Sequence, residues 1–361
     1  EGAGDVLSGT LFWPLWLRAA GMTVGRGCEI STITDVVPEL VAIGPGSFLA
    51  DGIYLGGPRV HRGAVTLAPT RLGAGTFLGN HVVIPGGCRL PDGVLLGVCT
   101  VGDEAVAPGS SWFGHPPFEL PRREVVACDR RLTHDPPPIR WLNRVLWELL
   151  RFALPAEPVF LLLAWCKALG AAEAALPRVV VLAAVGPGLT LATAAASCAL
   201  VLVLKWVLLG RVRPGVHPLW SCWCSRWDFL YVAWGAYARG VLSALEGTLL
   251  LPWYLRAMGA RVGRRVVLGG GFAQVVDPDM LWIDDGATVG ALFQAHSFED
   301  RVLKIGRVTI RRGATVGDAA VLLHGAEVGE RARVAPHSVV MKHERLPAGR
   351  SYAGCPTHPL P

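Results

Sequence analysis

The chain has 361 residues, of which 52% are hydrophobic and 17% are charged, and its formal net charge is +6. Soluble domains carry about 25% charged residues, so this composition argues against a disordered chain and against an ordinary soluble enzyme, and it indicates membrane association. The basic residues are spread along the sequence rather than clustered, which excludes a nucleic-acid groove. Because Glu1 is not an initiator methionine and no signal-peptide pattern follows it, we expect a piece of a longer protein.

The two ends of the chain are copies of each other. At an offset of 238, Gly9-Thr10-Leu11 matches Gly247-Thr248-Leu249, and Val24-Gly25-Arg26 matches Val262-Gly263-Arg264. Inside each copy, aliphatic residues recur at every sixth position, as the following residues show: Leu72, Leu78, Ile84, Leu90 and Leu96 in the first copy, and Ile310, Val316, Leu322, Val328, Val334 and Val340 in the second. We therefore predict a first repeat domain over 1–125 and a second over 247–361.

A period of six fits neither a helix, which repeats at about 3.6, nor a single strand, which repeats at 2. It fits short parallel strands wound around a triangular prism, with one hexapeptide on each face and the aliphatic side chain pointing inward. Stacked coils then share one continuous core. The alternative is a β-sandwich with glycine-rich turns.

The middle region, 126–215, contains the most apolar stretch. Val179 to Leu204 has no charged residue across 26 positions, and about 20 apolar residues are enough to cross a bilayer. A weaker stretch runs from Phe152 to Cys166. Two crossings would leave both repeat domains on one side of the membrane, so we predict a transmembrane hairpin; the alternative is one span and one interfacial helix. We expect Gly186-Pro187-Gly188 to kink the longer stretch.

An aromatic-rich segment over 216–246 links this region to the second repeat domain. Its aromatic residues suit a membrane interface and equally suit a helix that packs on the flank of the β-domain. We therefore predict an interfacial or linker helix. They are Trp220, Trp223, Trp227, Phe229, Tyr231, Trp234 and Tyr237.

One loop of the second copy interrupts the period of six and carries ionisable side chains. It contains His296, Glu299 and Asp300. Imidazole titrates near neutrality and can accept a proton from an incoming amine or hydroxyl, while an acidic neighbour would hold its tautomer. We therefore predict a catalytic base at His296, with Glu299 and Asp300 as supporting acids. The alternative is a surface histidine bonded to backbone.

The first copy lacks this histidine. Depending on where a two-residue slip falls, Pro58 or Gly56 takes the place of His296, and His61 falls opposite Glu299. We infer that the first copy is structural or lends groups to a neighbouring site. We expect His81, His324 and His337 to be solvated surface residues. Their spacing does not place two on one rung as metal ligands, so we predict no metal.

The repeat pattern resembles the hexapeptide-repeat acyltransferases. That resemblance implies a mainly β fold of two tandem left-handed parallel β-helices, His296 as general base, and trimeric or pseudo-trimeric packing of prisms. It also implies a pantetheine-lining role for the exit loop of the last coil, where Gly354 and Pro356 are the candidate cofactor-binding residues; a simple cap is the alternative.

The order of β-helix, membrane hairpin, aromatic linker and β-helix resembles the C-terminal region of ε-poly-lysine synthetase-like, membrane-bound nonribosomal peptide synthetases. The resemblance rests on strings such as Leu255-Arg256-x-x-Gly259, His296-x-x-Glu299-Asp300-Arg301 and Leu346-Pro347-Ala348-Gly349. It implies upstream adenylation and carrier domains and an aminoacyl transfer from the carrier's phosphopantetheine thioester to an amino-acid or peptide amine.

Two other functions stay open at this point. One is a small-molecule O- or N-acyltransferase that uses coenzyme A, and the other is a non-catalytic membrane scaffold. The nine scattered cysteines are typical of reduced thiols. We therefore expect a multi-pass protein of the lipid bilayer whose β-helix domains lie on the cytoplasmic face.

Overall fold

The computed structural model describes residues 7–121 and 125–361. The chain divides into two compact units. Unit 1 comprises residues 1–148 with the short segments 218–220 and 298–302, and unit 2 comprises 149–217, 221–297 and 303–361. Each unit contains one set of short parallel strands.

The strands of unit 1 are short because each covers one face of a coil before the chain turns. In chain order they are β1 (Thr23–Val24), β2 (Glu29–Ile30), β3 (Ile33–Thr34), β4 (Val41–Ile43), β5 (Phe48–Leu49), β6 (Ile53–Gly57), β7 (Arg59–His61), β8 (Ala64–Thr66), β9 (Thr70–Leu72), β10 (Phe77–Leu78), β11 (Val83–Pro85), β12 (Arg89–Leu90), β13 (Leu95–Leu96), β14 (Ser111–Phe113) and β15 (Phe118–Glu119).

These strands enter three sheets in rotation. The sheet orders are β1-β4-β9-β12, β2-β5-β10-β13-β14-β15 and β3-β6-β11, and the pairs between successive coils are parallel, while β14 and β15 pair antiparallel at the end. The register places Ile43 beside Leu72 and Leu72 beside Leu90. Leu72, Leu78, Ile84, Leu90 and Leu96 are all buried, so the residues of the sixfold pattern form the core.

The second set follows the same rotation. After β16 (Gly215–Pro218), its strands are β17 (Arg261–Val262), β18 (Val267–Leu268), β19 (Leu281–Ile283), β20 (Thr288–Val289), β21 (Leu292–Gln294), β22 (His296–Glu299), β23 (Val302–Ile305), β24 (Val308–Ile310), β25 (Thr315–Val316), β26 (Val321–Leu323), β27 (Glu327–Val328), β28 (Arg333–Val334), β29 (Val339–Val340), β30 (Arg345–Leu346), β31 (Ser351–Ala353) and β32 (His358–Pro359).

Three sheets again receive most of these strands in turn, with orders β17-β19-β24-β27-β30, β18-β20-β25-β28-β31-β32 and β21-β26-β29, while β16, β23 and β22 form a separate three-stranded sheet. Ile283, Ile310, Val328 and Leu346 align down the first of them. All six period-six aliphatics of this copy are at most 3% exposed. The predicted mainly β class with parallel sheets is therefore confirmed.

Both sets leave the rotation at the same step, between the third face and the first. In unit 1 the antiparallel strands β7 and β8 are inserted there, and in the second set β22 and β23 occupy that step. The second set also lacks a strand on the third face of its first coil, where the chain runs irregularly from 269 to 277. Irregular chain at a corner leaves the packed core intact and can carry functional groups.

The helices are short except in the middle of the chain. They are α1 (Trp13–Ala19), α2 (Arg130–Thr133), α3 (Pro138–Arg151), α4 (Ala156–Ala175), α5 (Arg178–Val180), α6 (Gly186–Leu208), α7 (Cys222–Tyr237), α8 (Arg239–Ser243) and α9 (Leu250–Ala257), with 3-10 turns at Pro38–Leu40 and Pro278–Met280.

Two helical stretches, Arg130–Ala175 and Arg178–Leu208, are long and apolar enough to cross a membrane. Ser197 on α6 donates to Glu157 on α4 at 3.1 Å, so these two helices contact each other. The sequence predicts a kink at Gly186-Pro187-Gly188. The structure places a π-helical segment, Val181–Val185, directly before it, which lets the chain absorb a proline without ending the helix.

The aromatic helix α7 belongs to unit 2 and packs within it rather than lying open. Trp227 and Trp234 of α7 are 9% and 1% exposed, and the indole of Trp234 donates to the carbonyl of Ala273 at 2.9 Å. Of the two alternatives for this segment, the packed helix describes these residues.

We predict that the inward-facing aliphatic residues of the sixfold pattern dominate the stability of the second set. Leu322→Ala removes a fully buried side chain of β26 and should lower the free energy of unfolding by about 2–5 kcal/mol. The matched control is Leu292→Ala in the neighbouring β21, where the side chain is 41% exposed and the change should stay within about 0.5 kcal/mol. Denaturant melting of both variants measures the difference, and equal losses would contradict the inward assignment.

Candidate functional site

The structure brings a buried carboxylate to the irregular corner of unit 2. Asp277 is 3% exposed and adopts the left-handed conformation, with φ 62° and ψ 55°, immediately before the 3-10 turn Pro278–Met280. A buried carboxylate costs free energy unless it is hydrogen-bonded. Two donors meet this requirement.

The first donor is His296, at the start of β22. Its Nδ1 lies 3.0 Å from Asp277 Oδ2, and its side chain is 16% exposed, whereas that of Asp277 is fully buried. Because an ionised carboxylate only accepts hydrogen bonds, Nδ1 carries the hydrogen and donates to Asp277. Nε2 is then free of hydrogen and can accept a proton.

The second donor is the indole of Trp227 on α7. Its Nε1 donates to Asp277 Oδ1 at 2.8 Å, and its ring meets the His296 imidazole edge to face, with centroids 5.0 Å apart. The two oxygens of Asp277 are therefore used by two different side chains. Trp227 thus fixes both the carboxylate and the plane of the histidine ring.

The stacking of successive coils of strands explains why Asp277 and His296 meet. They lie 19 residues apart, and the coil that joins β17 to β19 and β18 to β20 has 21 residues, so the two lie nearly one coil apart. Asp277 precedes β19, and His296 begins the inserted segment that leads to β24 of the same sheet. Neighbouring strands in a sheet are about 4.8 Å apart. Residues one coil apart at the same corner are therefore within reach of each other.

A small cavity adjoins the pair. It is lined by Trp227, Tyr231, Trp234, Val275 and Asp277 among others, and about 20 Å³ of it is available to a water-sized molecule. That volume suits about one water. The lining of the cavity is mostly apolar and also includes Lys205.

A second histidine lies near this carboxylate. His217 stacks on Trp223 with centroids 3.8 Å apart. Burial lowers the pKa of His217, and the charge of Asp277 opposes this by raising it. His217, Asp277 and Trp227 were not predicted as site residues, since none lies within the predicted loop.

Glu299 and Asp300 are not the partners that the structure gives His296 at Nδ1. Glu299 ends β22, and Asp300 and Arg301 form the following turn with φ values of 49° and 60°. The acid that we expected to hold the tautomer is therefore replaced by Asp277. Any catalytic role of Glu299 or Asp300 remains a prediction.

His324 is buried rather than solvated, contrary to expectation. It is 4% exposed, and its Nε2 lies 3.2 Å from the hydroxyl of Ser297. Its turn position is as expected, but its ring packs beside His343, with centroids 5.2 Å apart. His81 and His337 are exposed in turns, as expected.

The exit loop gives Gly354 an internal role. With φ at 109°, its N–H donates to the Ser338 hydroxyl at 3.2 Å, its carbonyl accepts from Val339, and a Cβ there would meet the His358 ring at 2.6 Å. These contacts explain the glycine without a ligand. The pantetheine-lining role of Gly354 and Pro356 remains a prediction.

The first copy lacks both members of the pair. Tyr54 pairs with Val83 as Leu292 pairs with Val321, at the offset of 238, which places Pro58 opposite His296. The matching prolines Pro38 and Pro278 place Val37 opposite Asp277. Neither residue can serve in a proton transfer.

Within the part of the chain that the structure describes, no group of three or more His, Cys, Asp or Glu residues could hold a metal ion. The pair of Asp277 and His296 has one charged oxygen donor set and one imidazole, which suits proton transfer rather than coordination.

Comparison with known proteins gives one close relative. The chain is 33% identical over 368 positions, 98% of its length, to delta-poly-L-ornithine synthetase of Acinetobacter baumannii (strain AB307-0294), and it spans 27% of that relative's length. No family model matches. The predicted resemblance to a region of a poly-amino-acid synthetase is therefore confirmed.

Solved structures with partial likeness are hexapeptide-repeat proteins. A hexapeptide-repeat acetyltransferase from Vibrio cholerae is 14% identical, covers 34% of this chain and 87% of its own, and has a TM-score of 0.26. A serine acetyltransferase from Brucella abortus is 19% identical, covers 45% and 68%, and has a TM-score of 0.24.

We predict that Asp277 sets the tautomer of His296. In Asp277→Asn the amide can donate to Nδ1 as well as accept from it, so the imidazole should populate both tautomers, with Nδ1 losing hydrogen. Nitrogen NMR of labelled histidine measures this. A His296 spectrum unchanged by the substitution would show that the carboxylate does not hold the ring, and Asp318→Asn, in the turn after β25, serves as the control.

We also predict that His217 makes unit 2 sensitive to acid. Its folded pKa lies below the unfolded value of about 6.5, so the unfolded chain binds a proton that the folded chain resists, and stability is lost as pH falls below about 6.5. His217→Gln should therefore flatten the decrease of the melting temperature between pH ~7 and ~5. His337→Gln, at an exposed turn, should leave that decrease unchanged; equal behaviour of the two variants would contradict the assignment.

Proposed function

We propose that this chain is the acyl-transferring, membrane-bound part of a poly-amino-acid synthetase, in which His296 is the general base for amide-bond formation. The observation that carries the proposal is the hydrogen bond of Asp277 to His296 Nδ1, which leaves Nε2 of a partly exposed ring able to accept a proton. The similarity to delta-poly-L-ornithine synthetase supports a reaction that joins amino acids.

The chemistry follows from the protonation states. An ammonium group is not a nucleophile near neutral pH, so the acceptor amine must lose a proton. The ammonium proton goes to solvent, and Nε2 of His296 accepts the second proton, which the neutral amine nitrogen loses as it attacks the thioester carbonyl. The C–N bond forms, the C–S bond breaks, and the leaving thiolate takes the proton from the imidazolium. Asp277 stabilises the imidazolium during the transfer.

The acyl donor in this proposal is an aminoacyl thioester on the phosphopantetheine arm of a carrier domain. Upstream adenylation and carrier domains would load it, as in a nonribosomal peptide synthetase. A thioester of coenzyme A offers the same carbonyl and the same leaving thiol, so a coenzyme A-dependent O- or N-acyltransferase is the second candidate. An assay with the carrier in its apo and holo forms separates the two.

The proposed architecture adds handedness, domain boundaries and membrane topology to the strand pairing. The two strand sets are tandem left-handed β-helices with boundaries near 1–125 and 247–361, and the two apolar stretches form a transmembrane hairpin with both β-helices on the cytoplasmic face. Trimeric or pseudo-trimeric packing would build an acceptor cleft beside His296. The absence of both Asp and His in the first copy supports a structural role for it.

We predict that His296→Ala lowers the rate of product formation by the full-length protein by about a hundredfold to ten-thousandfold, the range that a general base contributes. The measurement is turnover with holo carrier and acceptor amine. His337→Ala removes an exposed turn histidine from the same strand set and should leave turnover unchanged. If His296→Ala turns over like the parent protein, the chain is a scaffold and the proposal is wrong.

A further inference from the structure

Helix α3 has its polar and apolar faces reversed relative to a helix in a soluble protein. A helix in water normally buries its apolar stripe and exposes its charges. In α3, Arg144, Glu148 and Arg151 are only 7%, 2% and 4% exposed. They are spaced by four and three residues, which places them on one face.

This charged face is held by specific contacts. The guanidinium of Arg144 donates to both carboxylate oxygens of Glu29, at 2.9 and 2.8 Å, and to Glu148 at 2.7 Å. The second oxygen of Glu148 accepts from the backbone N–H of Leu11 at 2.9 Å. A forked arginine–carboxylate pair of this kind fixes orientation as well as position, so α3 cannot rotate to bury its other face without leaving these charges unpaired.

The opposite face is a continuous apolar stripe that is open to the surroundings. Its members recur at helical spacing and are between 48% and 69% exposed, and they are Ile139, Leu142, Leu146, Leu149 and Leu150. A single exposed leucine needs no explanation, whereas a stripe of five along one helix marks a surface that another phase or molecule covers.

The helix that follows indicates what covers it. α4 begins at Ala156, after a four-residue link from α3, and none of its twenty residues, all of them described, is buried. Phe160, Leu162 and Leu163 are 59–70% exposed, so the exposed surface of α4 is mostly apolar, as that of a membrane span is. Glu157, Lys167 and Glu173 interrupt it. Arg151 and Ala156 are five residue steps apart, which reach at most about 18 Å, so the end of α3 lies close to the point where such a span enters the bilayer.

We propose that α3 is an interfacial membrane helix. Its apolar stripe lies in the boundary between headgroups and acyl chains, while its charged face is bonded to Glu29 and not to water. Interfacial helices of this kind bury an apolar face about 5–10 Å into the boundary layer. The proposal rests on the spanning role of α4 in the proposed function, and it adds a second lipid contact whose position is set by the Arg144 contacts.

The test measures lipid contact one residue at a time. The fluorescent amino acid Anap, inserted by amber suppression, avoids the nine native cysteines. It replaces Leu142 or Leu146 on α3, Leu163 on α4, or Val65 in the hairpin of β7 and β8, which is 62% exposed and serves as the matched control. The full-length protein is placed in nanodiscs whose lipids carry bromine either near the headgroup or near the bilayer centre.

Positions 142 and 146 should be quenched several-fold more than position 65, and more strongly by shallow than by deep bromine, while position 163 should prefer deep bromine. Quenching at 163 without quenching at 142 and 146 would overturn the interfacial helix and leave the span intact; this includes a blue-shifted but unquenched signal from a protein-covered stripe. Quenching at 142 and 146 without 163 would support the interfacial helix and overturn the span. Two positions on α3 guard against one variant that fails to fold.

Discussion

Coil-on-coil packing of inward-facing aliphatic side chains is the constraint on which both strand sets depend. Each short strand is too small to bury its own side chains, so Ile43, Leu72 and Leu90 exclude water only by stacking on one another down a sheet. Free energy therefore accumulates between coils rather than within them. The corners contribute little to the core, which is why the chain can leave the rotation at one corner without disturbing the prism.

The pair of Asp277 and His296 uses that freedom. Asp277 lies in an irregular corner and His296 enters the next coil at the same corner, so the repeat distance of the solenoid brings them together. Trp227 then joins the aromatic helix to the carboxylate. An aromatic residue of the kind that composition associates with a membrane interface thus contributes a hydrogen bond to the candidate site. The same helix, α7, packs in unit 2 and holds the carboxylate of Asp277.

The spacing of aliphatic side chains predicted the core positions of both strand sets, because an aliphatic residue at every sixth position is a local property of the sequence. Asp277 was not predicted, since it falls in the stretch 269–277, which has neither strand nor period. Its signal was the separation of 19 residues from His296, close to the 21 residues of the coil that joins β17 to β19, which becomes informative only once the coil length is known. The burial of His324 was missed because a turn position does not reveal what the neighbouring coil places against it, here Ser297 of the preceding coil.

The left-handed backbone of Asp277 has a consequence for the history of the duplication. Its counterpart Val37 is β-branched and extended, with φ −106° and ψ 100°, and such residues rarely adopt positive φ. Exchanging that one side chain for a carboxylate would therefore point it elsewhere. An Asp–His pair in the first copy would need a rebuilt corner, an inserted imidazole and an aromatic helix alongside. The difference between the copies is therefore difficult to remove by single substitutions.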